Sequence, residues 1–137
     1  MIVAGEKGTL LRWDGASWKR HAVPADAGFS ALGSDGKGGV LALTLTTTYR
    51  LADGVLTRVA DGGGWAVSDG GDGVIRAVYG GGGAPVGVRH FDGTKWHEEA
   101  LEMGPFETTA ARLTGIWSSG GEVFIVGDGG TILHKRP

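Results

Sequence analysis

Short apolar runs alternate with glycine-rich turns along almost the whole chain. The runs are rich in Val, Ile, Leu, Thr and aromatic residues, a composition typical of β-strands. Glycine and Asp-Gly pairs between the runs indicate tight turns. The opening segments IVAG and TLLRW and twelve later ones predict 14 strands. The twelve fall into four recurring sets: FSALGSD, WAVSDG and LTGIWSS; VLALTLT, VIRAVYG and VFIVGDG; TTYRLAD, VGVRHFD and TILHKRP; SWKRHAV, VLTRVAD and KWHEEAL.

The chain ends on almost the same phrase with which it begins. IVAGEKGTLLR near the N-terminus and VFIVGDGGTILH near the C-terminus superpose without a gap, with Gly5 on Gly127 and Thr9 on Thr131. Asp128-Gly129 marks the turn of the second copy. Both copies consist of two apolar strands around a glycine turn, so the sequence predicts an internal repeat.

Asp-Gly pairs repeat at a spacing of 39 residues and predict one hairpin in each repeat. Asp-Gly between strands is a strong hairpin signal, because glycine adopts positive φ without a Cβ clash. In the outer two copies a tryptophan follows the glycine by three, as Trp18 and Trp96, whereas the middle copy has Leu56 or Thr57 there. The three pairs are Asp14-Gly15, Asp53-Gly54 and Asp92-Gly93.

Four short antiparallel strands in about 40 residues are the repeat of a β-propeller blade. We therefore predict an all-β fold, a single β-propeller or half-propeller domain with about 3.5 four-stranded blades, grouped as three, four, four and three strands. The stretch 98–113, broken by Gly104-Pro105, is predicted to be a loop or at most one helical turn. The repeat units are predicted at about 1–28, 29–63, 64–103 and 113–137.

The segment LTGIWSSGGEVFIVGDGGTILH resembles the blade consensus of bacterial β-propellers of the Asp-box (sialidase) and photosystem II assembly-factor types. The matching features are Trp117, the VGDGGTI run, and the two Asp-Gly pairs that are followed by a tryptophan. The serine that a full Asp-box places two residues before its aspartate is missing, since Arg12 and His90 precede Trp13 and Phe91. The resemblance implies a propeller fold and carries over no sialidase catalytic residue.

The predicted blades leave ring closure open. The chain begins at the second strand of one blade and stops at the third strand of another, so two blades are three-stranded. A compact four-bladed monomer, a ring of two chains and a fragment of a longer propeller are three solutions. We favour a homodimer that forms one ring of seven or eight blades.

Composition excludes several classes of protein. Glycine makes up 28 of 137 residues without a G-X-Y period, which excludes collagen. A net charge of −2, with basic residues scattered singly, argues against nucleic acid as a partner. With no cysteine, disulfides and CxxC zinc sites are impossible. No signal peptide or membrane span is recognisable, so we expect a cytoplasmic protein, unless the chain is a fragment of a secreted one.

No combination of residues predicts catalysis, a cofactor or a metal. His90 and His97 flank an Asp-Gly turn, and a two-histidine metal corner is the alternative to exposed strand residues, which we favour. The sequence around Asp69 resembles a calcium loop but lacks the ligand spacing of an EF-hand. The glycine runs at 62–64 and 80–83 are not P-loops. Nothing distinguishes the isolated His21 and His134, or the pairs Ser118-Ser119 and Glu98-Glu99, from other surface residues.

The tryptophans are the strongest candidates for a ligand or inter-blade position, namely Trp13, Trp18, Trp96 and Trp117. A residue at a fixed position of a repeat commonly packs between blades. Exposed tryptophans would instead stack on sugars, as in a lectin. We predict a non-enzymatic scaffold that binds a protein partner through the loops on one face of the ring and assembles into a closed ring. The alternatives are a carbohydrate-binding propeller and a propeller fragment without a ligand.

Overall fold

The structure is a computed structural model that describes residues 1–70, 74–81, 84–100 and 112–136. Its fourteen strands form four antiparallel sheets, here named blades 1 to 4. Blade 1 contains β1 (Ile2–Gly5), β2 (Thr9–Trp13) and β3 (Trp18–Arg20). Blade 2 contains β4 (Ala31–Ser34), β5 (Val40–Leu43), β6 (Thr47–Ala52) and β7 (Val55–Asp61). Blade 3 contains β8 (Ala66–Ser68), β9 (Ile75–Gly81), β10 (Ala84–Phe91) and β11 (Trp96–Glu99). Blade 4 contains β12 (Leu113–Ser119), β13 (Glu122–Gly127) and β14 (Ile132–Lys135), with a 3₁₀ turn at Asp128–Gly130.

The predicted grouping of three, four, four and three strands is confirmed. Within each blade every strand pairs with the next one along the chain, so every blade is a simple meander. Such a meander forms because short glycine turns join neighbouring strands. The blades are those of a partial β-propeller, and the described residues do not close a ring. Among these residues, no helix is long and apolar enough to cross a membrane. Most of the predicted loop at 98–113 lies outside the described residues.

The Asp-Gly pairs form two kinds of hairpin. Asp14 Oδ1 accepts hydrogen bonds from the backbone N–H groups of Ala16 and Ser17, both at 2.9 Å. Asp92 Oδ1 does the same for Thr94 and Lys95, at 2.8 and 2.9 Å. These aspartates therefore hold closed four-residue loops between Trp13 and Trp18 and between Phe91 and Trp96.

The middle pair forms a tighter, two-residue hairpin. Asp53 and Gly54 have φ values of 51° and 80°, as a type I′ turn requires. Because this loop is two residues shorter, the register places Leu56 opposite Leu51. Leu56 is therefore the counterpart of the tryptophan in the other two copies, and Thr57 is not.

The two phrases that echo each other form equivalent hairpins. In the β1–β2 turn, Lys7 and Gly8 have φ of 54° and 65°, and in the β13–β14 turn Gly129 and Gly130 have φ of 66° and 78°. Positive φ at two successive positions favours glycine, which explains the shared turn composition. The first and last blades thus contain the same second and third strands.

Neighbouring blades pack face to face through three apolar clusters. Leu10 of blade 1 packs with Ala42 and Leu51 of blade 2, together with Phe29 from the connecting segment. The other face of blade 2 packs on blade 3 through Leu41, Leu43, Ile75, Ala77 and Phe91. The third cluster joins blades 3 and 4 through Val78, Val88, Leu113, Val123 and Ile125. Full burial of one such Leu, Ile, Val or Phe side chain is worth about 1.5–3 kcal/mol, so these clusters dominate the stability of the fold.

The glycine run at 62–64 lets two blades approach closely. The Gly64 N–H donates to the Thr44 carbonyl at 3.1 Å, and the Trp65 N–H donates to the Val78 carbonyl at 3.0 Å. A Cβ atom on Gly63 would collide with the carbonyl oxygen of Thr44. These glycines therefore carry the connection from β7 to β8 through a space that has no room for side chains.

We expect Gly63→Ala to destabilise the protein by about 2 kcal/mol or more, because the new methyl group meets backbone that cannot move aside. Urea denaturation followed by tryptophan fluorescence measures the loss. Gly28→Ala is the matched control, since a Cβ there meets no atom within 4 Å. Equal midpoints for the two variants would contradict the packing described for this connection.

Candidate functional site

A groove opens between blades 2 and 3 at the end where the Asp-Gly turns lie. Because the strands of a meander alternate in direction, the β4–β5 turn and the β10–β11 turn are found at the same end of their blades. The groove has a volume of about 500 Å³. Its floor is apolar and its rim carries both charges. The residues that line it are Asp35, Lys37, Leu41, Arg50, Val74, Ile75, His90, Phe91, Asp92 and Gly93.

Asp35 holds the blade 2 side of the groove in shape. Its Oδ1 accepts hydrogen bonds from the backbone N–H groups of Lys37 at 2.8 Å and Gly39 at 2.7 Å. Its Oδ2 lies 2.6 Å from Nε and 2.5 Å from Nη2 of Arg50 on β6. The Asp35 carboxylate is buried, while the Arg50 side chain remains partly exposed. The pair therefore fixes a cation at the rim of the groove.

Burial alone would raise the pKa of Asp35, but hydrogen bonds from the Lys37 and Gly39 amides and from Arg50 outweigh it and lower that pKa. Asp35 is therefore charged at neutral pH. The ammonium group of Lys37 is exposed at the rim, and no ion pair joins it to another described residue. The rim thus carries two cations. Arg50 is paired with Asp35, and Lys37 has no ion-pair partner among the described residues.

The β10–β11 hairpin of blade 3 forms a wall of the groove and carries a network of histidines and carboxylates, mainly on the face that points away from blade 2. His97 Nε2 lies 2.7 Å from Asp92 Oδ2. Glu99 Oε1 lies 3.2 Å from Arg76 Nε and 3.3 Å from His90 Nδ1. The bond from His97, with those from the Lys95 and Thr94 backbone, holds the pKa of Asp92 below its ordinary value. These contacts order the turn that forms one wall of the groove.

The two histidines do approach each other across the hairpin, but not as a metal corner. Their ring centroids are 5.0 Å apart and the rings are nearly parallel, at 14°. A nitrogen lone pair lies in the plane of its ring, so stacked rings do not point at one common ion. Within the described ranges no group of three His, Asp or Glu side chains is placed to hold a metal.

The tryptophans of the repeat lie in two different environments. Trp96 Nε1 donates at 2.8 Å to Thr48 Oγ1 of blade 2, and this hydroxyl donates at 2.6 Å to the Gly62 carbonyl. Trp96 therefore ties two blades together. Trp18, its counterpart in blade 1, is exposed and contacts Trp13 with a tilted ring, the ring centroids being 5.5 Å apart. Trp117 of blade 4 is also exposed.

The remaining candidates serve in structural contacts. Ser118 is buried, and its Oγ lies 3.0 Å from Ser68 Oγ across the interface of blades 3 and 4. Asp69 follows β8, and residues 71–73 of its glycine-rich stretch lie outside the described residues, as do Gly82 and Gly83. His134 stacks on Phe124, with centroids 4.1 Å apart.

Sequence reasoning missed two features of this region. One is the pair of Asp35 and Arg50, which occurs in one blade alone and so leaves no signal in the repeat. The other is Arg89, whose guanidinium lies 4.2 Å from the centre of the Tyr79 ring. Burial lowers the pKa of Arg89, whereas burial, with a hydrogen bond to Glu98, raises that of Tyr79. Gly87 stands opposite Tyr79 and leaves room for its ring.

Comparisons with known proteins support the fold. No protein-family model matches the chain, and no curated protein matches it either. Among solved structures the chain is similar to YCF48 bound to D1 peptide, with a TM-score of 0.51 and 16% sequence identity. The match covers 99% of this chain and 59% of that chain, so this chain spans little more than half the length of the similar structure. The likeness shows a propeller-type fold.

We expect Thr48→Val to cost about 2 kcal/mol, because it leaves the buried N–H of Trp96 and the Gly62 carbonyl without their partner. Thr57→Val is the control, since Thr57 is exposed on the next strand. Chemical denaturation measures both. A double-mutant cycle with Trp96→Phe should show strong non-additivity, and purely additive losses would refute the tie between the blades.

We expect Asp35→Asn to lower the free energy of unfolding by about 2 kcal/mol at pH 7, since it removes the buried charge that holds Arg50. Asp61→Asn is the matched control, because its pair with Arg58 is exposed and worth about 0–1 kcal/mol. The side chain of Asp35 is 5% exposed and that of Asp61 is 86% exposed.

The pH dependence of the free energy of unfolding tests the same stabilising role of the Asp35 charge. The folded pKa of Asp35 lies below its ordinary value of 3.8, so its stabilising effect is complete above that pH. The effect is lost as the pH falls through the folded pKa. The difference between wild type and Asp35→Asn should therefore shrink in strong acid. A difference that stays constant from neutral pH to pH 2 would contradict this assignment.

Proposed function

We propose that this protein is a non-catalytic β-propeller scaffold that binds a segment of a protein partner in the groove between blades 2 and 3. The observation that carries the proposal is the groove itself. It lies at the turn end of the blades, with the buried cluster of Leu41, Ile75 and Phe91 beneath it and the half-buried Val74 beside it, and it carries exposed charge at its rim. Concave sites with an apolar floor and a few polar groups are typical of ligand recognition.

The charges of the groove favour a peptide with an acidic residue beside an apolar one. The Arg50 guanidinium is held in place by Asp35, and Lys37 presents a second cation from the adjacent turn. A carboxylate of the peptide would lie near Lys37 while a neighbouring apolar side chain packs on Val74 and the accessible edges of Ile75 and Phe91. Pre-organised rim charges give specificity without a large interface.

The similar structure supports a protein partner in a general way. YCF48 in that structure is bound to a peptide, D1. At 16% identity this likeness is one of fold, so a peptide ligand for the present chain is our proposal.

The surroundings of the polar candidates support a non-enzymatic role. Ser118 bonds Ser68, Asp92 bonds His97, and Glu99 contacts both His90 and Arg76. Each group that could act as a nucleophile or a base in these pairs holds a turn or a blade interface in place. We therefore propose that the protein binds and does not catalyse, and that it needs no cofactor.

Carbohydrate binding is a second candidate that the exposure of Trp18 favours. Trp18 lies beside the Asp14 turn and is partly stacked on Trp13. Trp96, however, faces blade 2 and donates to Thr48, so the site is not repeated on the surface. A glycan array probed with wild type and with Trp18→Ala tests this candidate, and silence of the wild type eliminates it.

Peptide selection tests the leading proposal. We expect random peptides displayed on phage to yield binders with an acidic residue next to an apolar one. The affinity of a selected synthetic peptide, measured by fluorescence anisotropy, should fall at least about tenfold with Lys37→Glu, or about 1.4 kcal/mol. Lys7→Glu makes the same charge change at the opposite end of the blades and should leave the affinity unchanged. Failure to select peptides, or equal affinities for both variants, would refute the groove as the site.

We also propose that the scaffold assembles into a closed ring with a second copy. The outward faces of blades 1 and 4 would make this contact.

A further inference from the structure

The outward face of blade 4 is an unusually apolar exposed surface. Trp117, Val126 and Ile132 are 55%, 44% and 71% exposed. They stand on one face with Phe124, because Trp117 pairs with Phe124 and Val126 pairs with Ile132 across the sheet. Trp117 and Phe124 are also in ring contact, with centroids 5.8 Å apart. Contiguous exposed apolar residues of this kind mark interaction surfaces.

The outward face of blade 1 is apolar as well. Val3 and Trp18 are 42% and 45% exposed. Val3 pairs with Leu11, and Trp18 pairs with Trp13, so these four side chains share one face of the sheet. The opposite face of blade 1, with Leu10, is already covered by blade 2.

Comparison with the equivalent residues of blade 2 indicates what packs on the outward face of blade 4. By strand register, Phe124, Val126 and Ile132 are the counterparts of Leu41, Leu43 and Thr48. Those three residues of blade 2 are completely buried, and they are buried against blade 3. The exposed face of blade 4 is therefore the face with which a blade contacts the next blade.

The blade 1 face is the matching half of the same kind of interface. Val3, Trp13 and Trp18 are the counterparts of Ala77, Phe91 and Trp96 on blade 3. Ala77 and Phe91 are buried against blade 2, and Trp96 reaches Thr48 there. Trp18 of blade 1 would accordingly lie over Ile132, which replaces the hydrogen-bonding Thr48 with an apolar side chain.

Trp117 is the residue that distinguishes this interface from the ones inside the chain. Its counterparts are Gly33 in blade 2 and Ser68 in blade 3, both small. A Cβ on Gly33 would lie 2.8 Å from Val67 on the first strand of the next blade, and Ser68 bonds Ser118 in the same way. In blade 1 the strand at the corresponding edge is β1, which pairs with β2 alone among the described strands. Trp117 has the size to cover this open edge.

We infer that blade 4 of one copy packs on blade 1 of a second copy, with Trp18 over Ile132 and Trp117 against the open edge of β1. The four blades described for one chain do not close a ring, and propellers contain about four to eight blades, so two copies fit one ring of eight. This contact joins two different surfaces, blade 4 and blade 1, twice in the ring. The inference rests on the assembly part of the proposed function and does not depend on peptide binding.

The test is the mass in solution of the whole chain and of two face variants, by light scattering and sedimentation. We expect wild type to be a dimer of the 14.1 kDa chain. Ile132→Lys and Trp18→Glu should each be monomers, with dimerisation weakened at least about tenfold. Val55→Lys is the control, since Val55 is 63% exposed but lies on the β6–β7 turn away from both faces. This variant should remain a dimer.

Mixing the two monomeric variants distinguishes this interface from a symmetric one. The Ile132→Lys chain keeps an intact blade 1 face, and the Trp18→Glu chain keeps an intact blade 4 face, so the mixture should form a one-to-one dimer. If blade 4 paired with blade 4, or blade 1 with blade 1, one of the two variants would dimerise alone. Dimerisation of one variant alone would overturn the inference. A wild type that stays monomeric at all concentrations would also overturn it, and would assign the two faces to contact with another polypeptide.

Folding and peptide binding are read out in the same samples. Circular dichroism should show that both face variants keep the β-structure of wild type. Because the groove lies within one chain, the monomeric variants should bind a groove-selected peptide with wild-type affinity. A face variant that no longer dimerises but still binds the peptide supports the proposed interface. A Lys37→Glu variant that remains a dimer but no longer binds the peptide tests only the proposed role of the groove.

Discussion

Burial of apolar sheet faces against neighbouring sheets is the constraint on which this structure depends. A sheet of three or four short strands exposes two apolar faces, and a single such sheet has nothing to cover them. In blades 2 and 3 both faces are covered by neighbours, so Leu41, Leu43, Ala77 and Val78 are completely buried. Blades 1 and 4 have one covered face each. The distribution of exposed apolar residues follows directly from this arrangement.

The polar and glycine residues of the chain serve that packing. Gly63 allows two backbones to meet where no side chain fits, and the hydroxyl of Thr48 accepts the indole N–H that would otherwise be buried without a partner. Asp35 and Arg50 occupy the edge of the same interface, where water still reaches the guanidinium. The groove therefore lies at the edge of this interface, and Asp35 both holds the Arg50 guanidinium at its rim and accepts hydrogen bonds from the β4–β5 turn.

Much of the fold could be predicted from the sequence because the repeat acts through local signals. Asp14 and Asp92 close equivalent turns, and alternating apolar residues mark each strand, so strand number and grouping followed from short-range patterns. The strand register was harder to predict, because the two-residue turn at Asp53 places Leu56, and not Thr57, at the position of the tryptophan in the other two copies. The contacts of the candidate site were harder still to predict. The contact of Trp96 with Thr48 joins residues 48 positions apart, and the pair of Asp35 with Arg50 occurs in one blade only.

The exposure of individual tryptophans tests the requirement for two-sided burial most directly. The protein labelled with 5-fluorotryptophan should give one fluorine resonance for each of its five tryptophans, assigned by single Trp→Phe variants. We expect Trp18 and Trp117 to be shielded from a soluble paramagnetic agent at high protein concentration and to become accessible on dilution, while Trp96 stays shielded throughout. Accessibility of Trp18 and Trp117 at every concentration would contradict the burial of these two faces.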